Sequence, residues 1–71
     1  MSTGIVKVVN SERGFSFLTL EQPHPSGKRD VFAHFSSFER AGLKHPTVGQ
    51  RYSFEIKASD RGINAVNLEA L

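Results

Sequence analysis

Two short aromatic segments, RGFSFL at residues 13–18 and DVFAHF at residues 30–35, decide the fold of this chain. The rings at alternate positions are Phe15 and Phe17 in the first segment and Phe32 and His34 in the second. Because side chains alternate between the two faces of a β-strand, rings two residues apart share a face. The segments therefore predict two neighbouring strands whose rings form one aromatic surface.

The rest of the chain predicts more strands and little helix. Short stretches rich in β-branched and aromatic residues alternate with Gly, Pro, Asn, Asp and Ser, which is typical of strands joined by turns. The predicted strands span residues 5–10, 14–20, 30–35, 51–57 and 63–68. One helical turn is expected at residues 36–41, with Ser36 or Ser37 as its N-cap.

Five strands in so short a chain leave exposed sheet edges unless the sheet closes on itself. The economical fold is all-β, a five-stranded antiparallel Greek-key barrel of the OB type. Alternation predicts an inward-facing set of Val6, Leu18, Val31, Ala33, Tyr52, Phe54, Ile56, Val66 and Leu68, with Phe38 covering one end. Strict alternation also buries Val8 beside Val6.

Length, charge and composition restrict the class of protein. A chain of 71 residues fits a single small domain, expected to span residues 1–71 and to be marginally stable. It has no cysteine, which excludes disulfides and thiolate metal sites, and no apolar run of the roughly 20 residues that a membrane helix needs. We therefore expect a soluble cytoplasmic protein. A net charge of +2 and a pI near 9.4 permit a polyanionic partner.

The sequence predicts neither a metal site nor a catalytic site. The histidines His24, His34 and His45 lack the close spacing of zinc ligands. Asp30, His34 and Ser36 suggest a triad, but four strand residues place Asp30 about 13 Å from His34, too far for a hydrogen bond. We expect no enzymatic activity, no cofactor and no small-molecule substrate, and interpret His34 as a residue that stacks on or hydrogen-bonds to a base.

In their order, spacing and flanks, the two aromatic segments resemble those of bacterial cold-shock domain proteins. The resemblance covers nearly the whole chain and includes GIVK at residues 4–7, Asn10, GQ at residues 49–50, SF at residues 53–54 and AVNL at residues 65–68. It implies the binding of single-stranded RNA or DNA, and an aromatic surface edged by cations suits unpaired bases. It further implies a role as an RNA chaperone or in transcription antitermination.

The residues expected to bind nucleic acid form an aromatic surface with a charged rim. The stacking rings are Phe15, Phe17, Phe32, His34 and Phe35. Alternation points Phe35 inward, whereas the resemblance places it at the edge of the aromatic surface. The rim consists of Lys7, Arg13, Lys28, Asp30 and Arg61. Its cations either meet phosphates or form a solvated basic surface, and Asp30 either accepts a hydrogen bond from a base or fixes its own loop.

The chain also departs from the family pattern. Val8 and Val9 stand where Trp and Phe are usual, Ser16 replaces a Gly, Leu43 replaces an aromatic residue of many members, and the loop at residues 21–29 is longer than in compact members. The resemblance puts both Val8 and Val9 near the binding surface, which a β-bulge would reconcile with alternation. A second hypothesis is a cold-shock-like barrel with weakened nucleic-acid binding that acts as a protein-interaction module. A monomer is expected, with a strand-exchanged dimer as the alternative.

Overall fold

Five strands and one short helix follow one another along the chain. The computed structural model describes residues 1–22, 24–25, 27, 29–60 and 62–71. The elements are β1 (Ser2–Asn10), β2 (Phe15–Leu20), β3 (Asp30–His34), α1 (Phe35–Arg40), β4 (Arg51–Ser59) and β5 (Gly62–Ala70). The five predicted strands are confirmed, and β1, β4 and β5 extend beyond the predicted limits. Among the described residues, no helix has the length and apolar character needed to cross a membrane.

The strands form a closed barrel in the order β1, β2, β3, β5, β4. Antiparallel pairing joins β1 to β2, β2 to β3, β4 to β5 and, closing the barrel, β1 to β4. A short parallel contact joins β3 to β5 where Phe32 lies opposite Asn64. The predicted OB-type barrel is therefore confirmed, with one parallel seam among its antiparallel pairs. Within the described residues, each strand is therefore paired with a neighbour on both sides.

The barrel interior holds one cluster of buried apolar side chains. Its members are Val6, Leu18, Leu20, Val31, Ala33, Phe38, Tyr52, Phe54, Ile63, Ala65 and Leu68. The Phe38 ring from α1 meets the Tyr52 ring edge-on, with centroids 5.1 Å apart. Most of the predicted inward set is confirmed, and Ile56 is half-buried against the cluster. The core is thus filled without the rings of Phe15, Phe17 and Phe32.

A β-bulge in β1 decides which face Val8 occupies. Val6 lies opposite Leu18 and Val8 lies opposite Phe17, so Lys7 has no partner of its own in β2. One extra residue reverses the alternation from that point onward. Val6 is accordingly buried, whereas Val8 is 45% exposed. The bulge is confirmed, and the burial of Val8 expected from strict alternation is wrong. Val9, which the resemblance also put near the binding surface, is instead half-buried against the core, because the bulge turns its side chain inward.

A second bulge reverses the alternation in β5. The pairing of β5 with β4 shifts between Ser53 and Glu55, and Asn67 has a φ of 53°. Asn tolerates this left-handed conformation better than most residues. As a result, the buried positions of β5 are Ile63, Ala65 and Leu68. The predicted inward orientation of Val66 is wrong, because it assumed an unbroken alternation.

Candidate nucleic-acid interface

Three phenylalanine rings cluster on the outer face of β2 and β3. Phe17 lies opposite Phe32, and Phe15 lies opposite His34. The ring centroids are 5.3 Å apart for Phe15 and Phe32, and 5.6 Å apart for Phe17 with either neighbour. The alternate residues that face inward are Ser16, Leu18, Val31 and Ala33. We call Phe15, Phe17, Phe32 and His34 the aromatic platform, and the structure brings these four rings together as expected.

The rings of the platform support one another without being buried. Phe17 meets both other phenylalanines nearly edge-on, at 81° and 74°. Such edge-to-face contacts are favourable and hold aromatic rings in place. The three phenylalanine side chains are half-buried. The platform therefore offers solvent a fixed apolar surface.

A polar edge lies beside the platform. Phe17 and Phe32 line a cavity of about 280 Å³ together with Ser59 and Asn64. The Asn64 amide nitrogen donates a hydrogen bond to the Ser59 hydroxyl at 2.7 Å. A planar group lying on the rings would thus have hydrogen-bonding groups at its edge.

Ser16 lies beneath the platform, where the resembled family carries glycine. Its side chain is fully buried, and its hydroxyl donates a hydrogen bond to the Ala33 carbonyl at 3.1 Å. A buried hydroxyl with a partner avoids the cost of an unsatisfied polar group. This departure therefore ties β2 to β3 and leaves the outer rings in place.

His34 caps α1 and also presents its ring beside Phe32 at the end of β3. It is the N-cap of α1, because its Nδ1 accepts a hydrogen bond from the Ser36 backbone N–H at 3.1 Å, with the Ser36 hydroxyl 2.9 Å away. The prediction of Ser36 or Ser37 as the cap is wrong. Since Nδ1 acts as an acceptor, the neutral ring carries its proton on Nε2. His34 is exposed, with its ring centroid 6.5 Å from that of Phe32.

The charged rim has two parts that the structure describes. Lys7 Nζ lies 3.7 Å from Asp30 Oδ1, and both side chains are more than half exposed. An exposed ion pair of this kind contributes little to stability, so both groups remain available to a ligand. Arg13 is exposed in the β1–β2 turn, where its backbone N–H donates to Asn10 Oδ1 at 3.1 Å. The predicted rim residues Lys28 and Arg61 lie outside the described residues.

Phe35 is buried at the start of α1, so the structure follows the alternation here. Its ring is 8% exposed and stacks on the His45 ring, with centroids 4.5 Å apart and planes 32° apart. The His45 side chain is 59% exposed. The sequence did not predict this contact. His45 lies in the connection between α1 and β4, where strand alternation does not determine which way a side chain points.

In the described part of the chain, no group of three or more His, Asp or Glu side chains is arranged to hold a metal ion. The aromatic platform and its charged rim offer a stacking surface and charged groups side by side. Both features suit a ligand with flat rings and negative groups.

The family profile of the 'Cold-shock' DNA-binding domain matches residues 2–71. The cold shock-like protein CspG of Shewanella violacea is 41% identical over 70 residues, which cover 99% of this chain and 94% of that protein. The cold shock protein CspA of Staphylococcus saprophyticus is 41% identical over 71 residues, the full length of both chains. The major cold shock protein of Streptococcus pyogenes is 39% identical over 71 residues, 100% of this chain and 98% of its own. With its closed barrel and outer aromatic platform, this chain belongs to the cold-shock domain family of nucleic-acid-binding proteins.

Proposed function

We propose that the chain, acting as one domain over residues 1–71, binds single-stranded RNA or DNA by stacking bases on the aromatic platform and catalyses no reaction. The observation that carries the proposal is the position of Phe15, Phe17 and Phe32 outside a barrel whose interior is already filled. Every base has a stackable face, and each stacked base contributes about 1–3 kcal/mol of binding free energy. Base pairing hides these faces in a duplex, which favours unpaired strands as ligands.

The rim supports the same proposal through charge. Lys7 and Arg13 are exposed cations suited to phosphate oxygens, and Lys7 lies beside Asp30 at the start of β3. Lys28 and Arg61 are proposed to join them on the basis of their sequence positions. His34 can donate a hydrogen bond from Nε2–H to a base carbonyl or a phosphate, and Asp30 can accept one from a base amino group.

A titration across a salt series tests the proposal. A labelled, unstructured pyrimidine-rich oligonucleotide is expected to bind at low salt and to bind more weakly as salt rises. The log–log slope should be about −0.7 for each phosphate neutralised, or roughly −2 to −3 if three or four cations engage. No binding at low salt would contradict the proposal and favour the protein-interaction module, to which the 45% exposed Val8 would add apolar surface beside Phe17.

The proposed biological role is that of an RNA chaperone or antitermination factor that keeps RNA unpaired. Stacking on the platform competes with base pairing, so bound protein should shift a weak hairpin toward its open form. A hairpin RNA with a fluorophore and a quencher at its two ends measures this shift. Fluorescence is expected to rise with protein concentration, and a hairpin that stays closed at saturating protein would argue against the role.

A further inference from the structure

His45 presents an exposed ring on top of a buried one. Its ring lies 4.5 Å from the Phe35 ring at a tilt of 32°, Phe35 is 8% exposed, and the His45 side chain is 59% exposed. One face of the imidazole therefore rests on Phe35 while much of the side chain meets solvent. We propose that His45 is an additional base-stacking residue, supported from below by Phe35, an inference that rests on the proposed function.

The backbone of His45 is restricted, and a carboxylate lies near its ring. Pro46 follows it and is buried, and the residue before a proline is restricted to extended conformations. His45 Nε2 also lies 4.0 Å from Glu39 Oε2 on α1. A ring that is ordered before binding loses less conformational entropy when a base stacks on it.

The space beside His45 suits a nucleotide. A cavity of about 380 Å³ is lined by His45, Lys44, Gln50 and Tyr52, among other residues. Lys44 supplies a cation for a phosphate, and Gln50 supplies a side-chain amide for a base edge. The cavity therefore offers charge and hydrogen bonding beside the exposed imidazole.

Phe35, on which the His45 ring lies, is next to the platform in the chain. Phe35 follows His34 directly in the chain, so their Cα atoms are about 3.8 Å apart. The Phe35 backbone N–H donates to the Gly14 carbonyl at 2.8 Å, which ties this end to the turn before Phe15. A strand of about seven nucleotides lies within the roughly 4–16 that one OB fold binds, and the proposal requires that such a strand reach both the platform and His45.

A tryptophan reporter tests the stacking directly, because the chain contains no tryptophan. In His45→Trp, a thymidine oligonucleotide of about seven nucleotides is expected to quench the indole fluorescence in a saturable manner, since a base stacks on it. Val48→Trp is the matched control, because Val48 is 61% exposed in the same connection. The indole fluorescence of Val48→Trp should be quenched much less than that of His45→Trp. Equal quenching at both positions, or none at His45→Trp with bound oligonucleotide, would overturn the inference.

Removal of the ring provides the second readout. His45→Ala should weaken binding of the same oligonucleotide about fivefold or more and leave the denaturation midpoint nearly unchanged. A rise in affinity would show that His45 covers Phe35 and must be displaced, which contradicts the inference.

Wild-type protein and Phe32→Ala separate the two proposals. Suppose that wild-type protein binds the oligonucleotide, that Phe32→Ala binds it more weakly and that His45→Ala binds it as tightly as wild type. The proposal for His45 is then wrong, and the proposal for the platform stands. If wild-type protein does not bind at all, both proposals fail.

Discussion

Phe32 and Phe54 are the same residue type in two environments. Phe32 is half-buried on the outer face, in contact with the rings of Phe15 and Phe17, whereas Phe54 is fully buried in the core. The sequence alone was enough to predict that Phe32 and Phe54 occupy different environments. The opposite faces of β2 and β3 already provide Leu18, Val31 and Ala33 as core residues, which leaves Phe32 to face outward.

Phe32→Ala and Phe54→Ala should therefore have different effects. Phe32→Ala should reduce the free energy of oligonucleotide binding by about 1–3 kcal/mol with a modest effect on folding. Phe54→Ala should reduce the free energy of unfolding by about 3–5 kcal/mol, enough to unfold so small a domain. Chemical denaturation beside oligonucleotide titration measures both. If Phe32→Ala unfolds the protein, the assignment of faces is incorrect.

Val8→Trp should strengthen binding to single strands. Val8 lies opposite Phe17 and is 45% exposed, so an indole at this position extends the platform. An added stacking ring contributes up to about 1–3 kcal/mol per base, and the fold should be unaffected. The affinity and the denaturation midpoint of the variant are measured together. A destabilised variant with unimproved affinity would show that the indole enters the barrel instead.

For Phe35, the sequence predicted the direction of the side chain but not its neighbour. Alternation correctly indicated that its side chain points inward, but not that His45 would cover it. His45 belongs to a connection without regular periodicity, and its position depends on how the chain packs after α1. The identity of the exposed ring at this end therefore required the structure.

At the scale of elements, the sequence predicted which segments form strands but not where their alternation reverses. The number and type of strands follow from residue composition and turns, which are local properties. A bulge adds one residue and leaves almost no mark on composition. In β1, only the conflict between alternation and the family resemblance indicated the bulge. In β5, Asn67 is of a type that tolerates a positive φ, but so is Asn64, so the residue type alone did not locate the bulge.

Asn67→Ala should destabilise the protein through the bulge in β5. Alanine at a φ of 53° is strained by about 1–2 kcal/mol, and the hydrogen bond from Asn67 to Glu55 is lost. Asn67→Gly is the matched control, because it loses the same hydrogen bond but accepts the backbone conformation. Denaturation should rank wild type and Asn67→Gly above Asn67→Ala. If the alanine variant is as stable as the glycine variant, the bulge is not strained.

On the scale of the whole molecule, the barrel is small and depends on each large core residue. Tyr52 is one of these, 2% exposed, and its hydroxyl donates a hydrogen bond to Gln50 Oε1 at 2.7 Å. Burial raises the pKa of Tyr52 above its ordinary value, because the charged phenolate is poorly solvated in the barrel. The folded state therefore retains a proton that the unfolded chain loses at about pH 10.

The raised pKa of Tyr52 predicts how stability changes in alkali. Its contribution to the free energy of unfolding should be complete below about pH 10 and should fall as the pH rises toward the pKa of the folded state. Tyr52→Phe cannot ionise and should lose stability less steeply over that range. Urea denaturation from neutral to alkaline pH gives, for each protein, the slope of the free energy of unfolding against pH. The lysines are common to both proteins and act as an internal control. Identical slopes would show that Tyr52 ionises equally well in the folded protein.

A comparison of the affinities for a single strand and for the matching duplex, at the same salt concentration, distinguishes base stacking from attraction by charge. The aromatic platform can stack only on bases whose faces are free, whereas the basic rim would attract either form. The protein is expected to bind the single strand more tightly than the duplex. Phe32→Ala should reduce this difference in affinity. Equal affinity for the two forms, or tighter binding to the duplex, would contradict base stacking on Phe15, Phe17 and Phe32.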